Sequence, residues 1–146
     1  MKERLLISAC LIGADCKYSG GNNALPPAAL AALRERYRLL PVCPELAGGL
    51  RVPRSPCERR DGGVFNRDGE DVTAAFRRGA ELACALCERF SCRRALLKER
   101  SPSCGAGTID DGSFSHTVIE GDGVAAEALR SRGVALCCEN EIDKLI

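Results

Sequence analysis

Four short apolar runs, Arg4–Ala9, Leu39–Cys43, Ala95–Lys98 and Val134–Cys138, recur along the chain with room for a helix between each pair. Each is too short for a buried helix, rich in aliphatic residues or cysteine, and bounded by loop-forming residues, as buried strands are. The stretches between them carry helical period instead. Pro26-Pro27 open the first, since proline suits a first helical turn, and Leu30, Leu33 and Tyr37 give it an apolar stripe. The strongest spans 72–90, with Val72, Phe76, Ala80, Ala83, Cys87 and Phe90 in helical register. A third covers 123–132 and stops at Gly133, in the position glycine favours after a helix. Residues 139–146 read as a short terminal helical stretch.

Strand–helix alternation of this kind requires right-handed crossovers, and hence a parallel sheet covered on both faces. The expected architecture is a compact three-layer α/β fold, Rossmann-like or flavodoxin-like, with about four parallel strands. Two glycine-containing stretches, 57–69 and 108–120, read as hairpin excursions from it, and the chain after Cys43, through Gly48-Gly49, Pro53 and Pro56, reads as a long non-helical loop. No linker, repeat or low-complexity tract interrupts the pattern, so residues 1–146 are read as a single domain, long enough to bury its own core. Neither a dinucleotide fingerprint after the first strand nor a phosphate-binding P-loop is present.

Charge narrows the partners. Twenty-one Lys and Arg against 20 Asp and Glu leave a net charge of +1, which gives no basic surface for DNA or for an acidic membrane. Arg34, Arg36 and Arg38 read as a solvated face. No run approaches the roughly 20 apolar residues of a membrane helix, and the N-terminal apolar run is shorter than a signal-peptide core. A cytoplasmic protein is expected.

Ten cysteines in such a chain point to metal, cluster or thiol chemistry rather than to disulfides. The single histidine, His116, excludes sites that need two or three imidazoles. Cys10 follows the first strand, Cys43 ends the second, and Cys104 lies just after the third. A parallel sheet delivers all three to one edge, at the crevice where open α/β sheets bind ligands, although they are roughly 30 and 60 positions apart. Three thiolates there suit a [4Fe-4S] cluster with one iron left without a protein ligand, a Lewis-acid site for a substrate atom. Zinc held by three cysteines and a water fits the ligand count as well, and plain packing of one or more of the three is a further reading.

The other cysteines compete weakly. Cys84, Cys87 and Cys92 have chelating spacing, but the first two fall inside the strongest helix, where core packing or surface thiols are expected rather than chelation. Cys137 and Cys138 are neighbours on a strand and point to opposite faces. Cys57 has no evident partner, and Cys16 is the most credible extra thiol near the three. Glu45, two residues after Cys43, and Ser101 and Ser103, beside Cys104, are placed for proton chemistry.

Several segments together carry a resemblance. Ser8-Ala9-Cys10-Leu11, Cys43-Pro44-Glu45, Gly48-Gly49-Leu50, Pro53-Arg54, Asp71-Val72-Thr73, Lys98, Ser101-Pro102-Ser103-Cys104-Gly105 and Asp111-Gly112-Ser113-Phe114-Ser115 stand in the order of one family, as do the helix start at Gly121 and the Glu139-Asn140 end. The chain resembles the thiouracil desulfidase (TudS-like) family over nearly its whole length. The resemblance implies a [4Fe-4S] cluster on three cysteines, carried over to Cys10, Cys43 and Cys104, with one open iron. It implies non-redox conversion of 2-thiouracil to uracil, with Glu45 as acid/base and Ser101 positioning substrate or water. The implied partner is a small thiolated base.

Three other readings compete: a cluster- or zinc-binding module without catalysis, a thiol enzyme with Cys10 as nucleophile, and a thionucleoside in tRNA as substrate. The first leaves Glu45 and Ser101 without a role. For the second, no phosphate-binding loop follows Cys10, and for the third the near-neutral charge suits a large RNA footprint poorly.

Overall fold

A computed structural model describes all 146 residues, Met1–Ile146. β1 (Glu3–Ser8) runs into a 3-10 turn, Ala9–Ile12, closed by Gly13 at φ 98°, which reverses the chain beyond Cys10. A loop then leads to α1 (Pro27–Arg36), β2 (Tyr37–Val42) and a single helical turn, α2 (Pro44–Ala47). The hairpin β3 (Cys57–Arg60) and β4 (Gly63–Asn66) precedes α3 (Thr73–Phe90) and β5 (Arg94–Leu97). A second hairpin, β6 (Thr108–Asp110) and β7 (Val118–Glu120), leads to α4 (Val124–Ser131), β8 (Ala135–Cys138) and a final 3-10 segment, Glu139–Lys144.

The main sheet has the order β2-β1-β5-β8 with every neighbouring pair parallel. This is the flavodoxin-like order one strand short, with its switch point between β1 and β5. Alternation along β1 divides the core in two, because successive side chains leave a strand on opposite faces. Leu5 and Ile7 pack with Leu33 of α1, Tyr37 and Leu145 on one face. Leu6 packs on the other with Ala83, Cys84 and Cys87 of α3 and Ala126 and Leu129 of α4. The three layers expected from the sequence are therefore present, with both hairpins set outside the sheet.

Two local expectations change. Tyr37 does not extend the stripe of α1; it opens β2, pairs with Glu3, and its buried hydroxyl donates to the Leu145 carbonyl at 2.8 Å. Register with β1 and a hydrogen bond to the C-terminus outweigh the helical spacing. The stretch after Cys43 is not wholly loop either, since α2 forms there with Pro44 in its first turn. Four residues are too few to show a period. Of the two expectations for Cys84, Cys87 and Cys92, core packing or surface thiols, the structure shows packing: all three are buried in one cluster. No helix is long and apolar enough to cross a membrane.

Candidate active site

The C-terminal ends of β1, β2 and β5 open into a cleft of about 420 Å³. Cys10 enters it from the 3-10 turn after β1, Cys43 from the residue before α2, and Cys104 from the loop after β5. Glu45, Ser101 and Ser103 line the same cleft, so the three cysteines and the three proton-chemistry candidates named from the sequence meet at one place. A wider depression beside α3 and the first hairpin, lined by Phe65, Asp71 and Arg77, holds no thiol. The donor set, not the size, marks the site.

All ten cysteines are free thiols. Burial pushes the Cys10 thiol up, and pushes that of Cys104 up to about 12. Without a metal these two are neutral thiols, and a bound cation would replace their protons. The three thiols, delivered to one cleft, are the donor set that a cluster with one iron lacking a protein ligand takes, and that a three-cysteine zinc takes as well. In a cluster each thiolate takes an iron of its own. The trio spaced for a single ion is Glu99, Cys138 and Glu139. There the Lys98 ammonium already sits 2.7 Å from Glu139, so a cation of the chain itself fills the place.

Glu45 is held at both oxygens. Ser103 donates to Oε2 at 2.9 Å, while Arg54 donates through Nε to Oε1 at 3.1 Å and brings a second guanidinium nitrogen to 3.0 Å. The Ser101 hydroxyl accepts from the backbone N–H groups of Ser103 at 3.1 Å and Cys104 at 3.0 Å, and lies 3.0 Å from the Ser103 hydroxyl. With Ser103 donating to the carboxylate and both lone pairs of Ser101 engaged, the proton of Ser101 points to Ser103. The result is a donor chain from Ser101 through Ser103 to Glu45. It is anchored from behind by α4, whose first N–H groups, on Val124, Ala125 and Ala126, donate to the carbonyls of Pro102 and Ser103.

The resemblance points to Ser101, yet Ser103 is the serine that touches Glu45, and it is 2% exposed. Arg54 entered only through the Pro53-Arg54 dipeptide; nothing in local sequence shows that it reaches back nine positions to Glu45. Cys16 and Cys57 line the cleft too, each thiol pushed up to about 12, first by burial. His116 is exposed at its mouth.

The sequence model of the 2-thiouracil desulfurase family matches residues 5–141. The chain belongs to this family. Among its relatives is the uncharacterized protein YbbK of Bacillus subtilis (strain 168), 34% identical over 97% of this chain and 99% of that protein. A solved structure described as the [4Fe-4S]-dependent thiouracil desulfidase TudS superposes with a TM-score of 0.94. It is 44% identical and covers 99% of this chain and 95% of its own. At that identity the family's parallel-sheet fold is shared throughout, which confirms the α/β architecture expected from the sequence.

Proposed function

We propose that this chain acts as a single domain that removes sulfur from a small thiolated base, converting 2-thiouracil to uracil, with a [4Fe-4S] cluster on Cys10, Cys43 and Cys104. The observation that most supports this reading is that one cleft gathers three free thiols and a carboxylate fixed at both oxygens. The name of the similar TudS enzyme supports both cluster and substrate. When bound, such a cluster supplies a soft iron without a protein thiolate, suited to the sulfur of a C=S group.

The remaining chemistry falls to side chains. Glu45 takes a proton from the water that attacks the thiocarbonyl carbon, and returns it as the sulfur departs. Ser103 and Ser101 keep the carboxylate turned toward that water. The carbon exchanges its bond to sulfur for a bond to the water oxygen, both water protons leave with the sulfur as hydrogen sulfide, and no electrons are taken up or released. The thiol-enzyme alternative needs Cys10 as a thiolate nucleophile, and burial disfavours that form. Ten unpaired thiols suit a reducing compartment, and we place the protein in the cytoplasm.

The test is anaerobic turnover of 2-thiouracil by cluster-loaded protein with no added oxidant or reductant. Uracil and sulfide released in equal amounts support the proposal. Fully loaded protein that forms neither refutes it.

A further inference from the structure

Arg54 joins three segments that the sequence separates. Its guanidinium donates to Glu45 in α2, to the Cys16 carbonyl in the loop after β1 at 3.0 Å, and to the Arg51 carbonyl at 3.1 Å. Its own backbone N–H donates to the Tyr18 carbonyl at 2.8 Å. Every arm of the planar fork is used, in the fixed geometry that distinguishes arginine from lysine. The side chain is 10% exposed and that of Glu45 14%, so the pair is shielded within the cleft wall rather than exchanging with bulk water.

This arrangement sets a direction. Ser103 fixes Oε2 from the Cys104 side and Arg54 fixes Oε1 from the opposite loop. A glutamate has three rotatable side-chain bonds, and with Ser103 alone it would still swing about a single hydrogen bond. Two anchors on two oxygens leave one orientation. The Cys16 carbonyl that Arg54 grips also lies 3.9 Å from the Cys43 sulfur, so the same residue ties the carboxylate to the loop beside one proposed cluster ligand.

We propose that Arg54 is a positioning residue that holds Glu45 in its working orientation beside Cys43. The proposal rests on the assignment of Glu45 as the acid/base group. It requires no contact between Arg54 and substrate, and it makes the arginine necessary for the rate of the chemical step rather than for binding. Misplacement of a catalytic group by about 1 Å costs about 10²-fold in rate, and that is the loss expected here.

The experiment compares wild type, Arg54→Gln, Arg54→Lys, Glu45→Gln and the Glu45→Gln/Arg54→Gln double variant, all loaded anaerobically. Iron and sulfide content, kcat and KM are measured for each. Arg54→Gln is expected to load the same cluster, keep KM within about twofold and lose about 10²-fold in kcat, with Arg54→Lys between it and wild type. The double variant is expected to be no slower than Glu45→Gln alone, since a residue that acts only through another has nothing left to contribute once that partner is gone. Wild-type kcat in Arg54→Gln overturns the proposal, as does a double variant in which the two losses simply add. Loss of the cluster in both arginine variants also overturns it, making Arg54 part of the ligand scaffold. An Arg54→Gln defect confined to KM would make it a substrate contact instead. Full activity in Glu45→Gln would remove the acid/base assignment itself, an outcome distinct from any failure of Arg54.

Discussion

Ser101 and Ser103 stand two residues apart and do different work. Ser103 lends its proton to Glu45, whereas Ser101 spends both lone pairs on the backbone that turns toward Cys104. Their alanine variants are therefore expected to separate. Ser103→Ala leaves Glu45 with one anchor, and is expected to slow kcat about tenfold, a hydrogen bond to a charged group being worth about 1.5–3 kcal/mol. Ser101→Ala leaves two N–H groups without an acceptor and is expected to lower the stability of the cluster-free protein by about 1–3 kcal/mol, read from urea unfolding. Equal effects of the two variants on both rate and stability would contradict this division. At this scale the sequence was informative about which residue types matter and silent about which atoms meet. Cys43-Pro44-Glu45 is a local motif and could be read directly, but the reach of Arg54 to Glu45 depends on how the loop between them folds, and no spacing encodes it.

The elements explain why α2, a single turn, can hold a carboxylate in place. It sits on α3 with almost no space between the backbones. A Cβ added to Gly79 would fall 1.9 Å from the Pro44 carbonyl oxygen, and one added to Gly48 would fall 1.9 Å from that of Ala75. Gly79→Ala must therefore move the turn that carries Glu45. We expect it to cost about 1–3 kcal/mol in stability, as overpacking does, and to lower kcat in the fraction that still loads a cluster; wild-type values of both would contradict the packing described.

On the other side of the cleft, Asp122 fastens the Cys104 loop. It accepts from the Gly107 N–H at 2.8 Å and pairs with Arg130 of α4 at 2.8 Å, and the hydrogen bonds from Arg130 hold its carboxyl below the usual carboxylate range. A lowered folded value means that this group contributes stability above the ordinary carboxylate range and loses it as the pH falls through the folded value. The urea midpoint of wild type is thus expected to drop more steeply between about pH 5 and 2 than that of Asp122→Asn, and parallel curves would contradict it. Long periodic elements such as α3 were legible in the sequence. The turn at α2 and the helix-to-strand switch at Tyr37 were not, because one is shorter than a period and the other is decided by pairing with β1.

For the molecule as a whole, the sheet order does what no local feature can. The order β2-β1-β5 places three parallel strand ends side by side, and so assembles Cys10, Cys43 and Cys104 from positions far apart in the chain. That much could be anticipated, because alternating strands and helices leave few topologies and all of them put strand ends on one edge. Membership of the 2-thiouracil desulfurase family and the close match to a [4Fe-4S]-dependent enzyme agree with that placement. The ligand set is the decisive point, since Cys16 and Cys57 line the same cleft as Cys10, Cys43 and Cys104. The direct test is iron and acid-labile sulfide per chain after anaerobic loading, in wild type and in Cys→Ser variants at positions 10, 43, 104, 16 and 57. About four of each are expected in wild type, the same in Cys16→Ser and Cys57→Ser, and loss in Cys10→Ser, Cys43→Ser and Cys104→Ser. Clusters retained in any of those last three, or lost with Cys16 or Cys57, would contradict that ligand set.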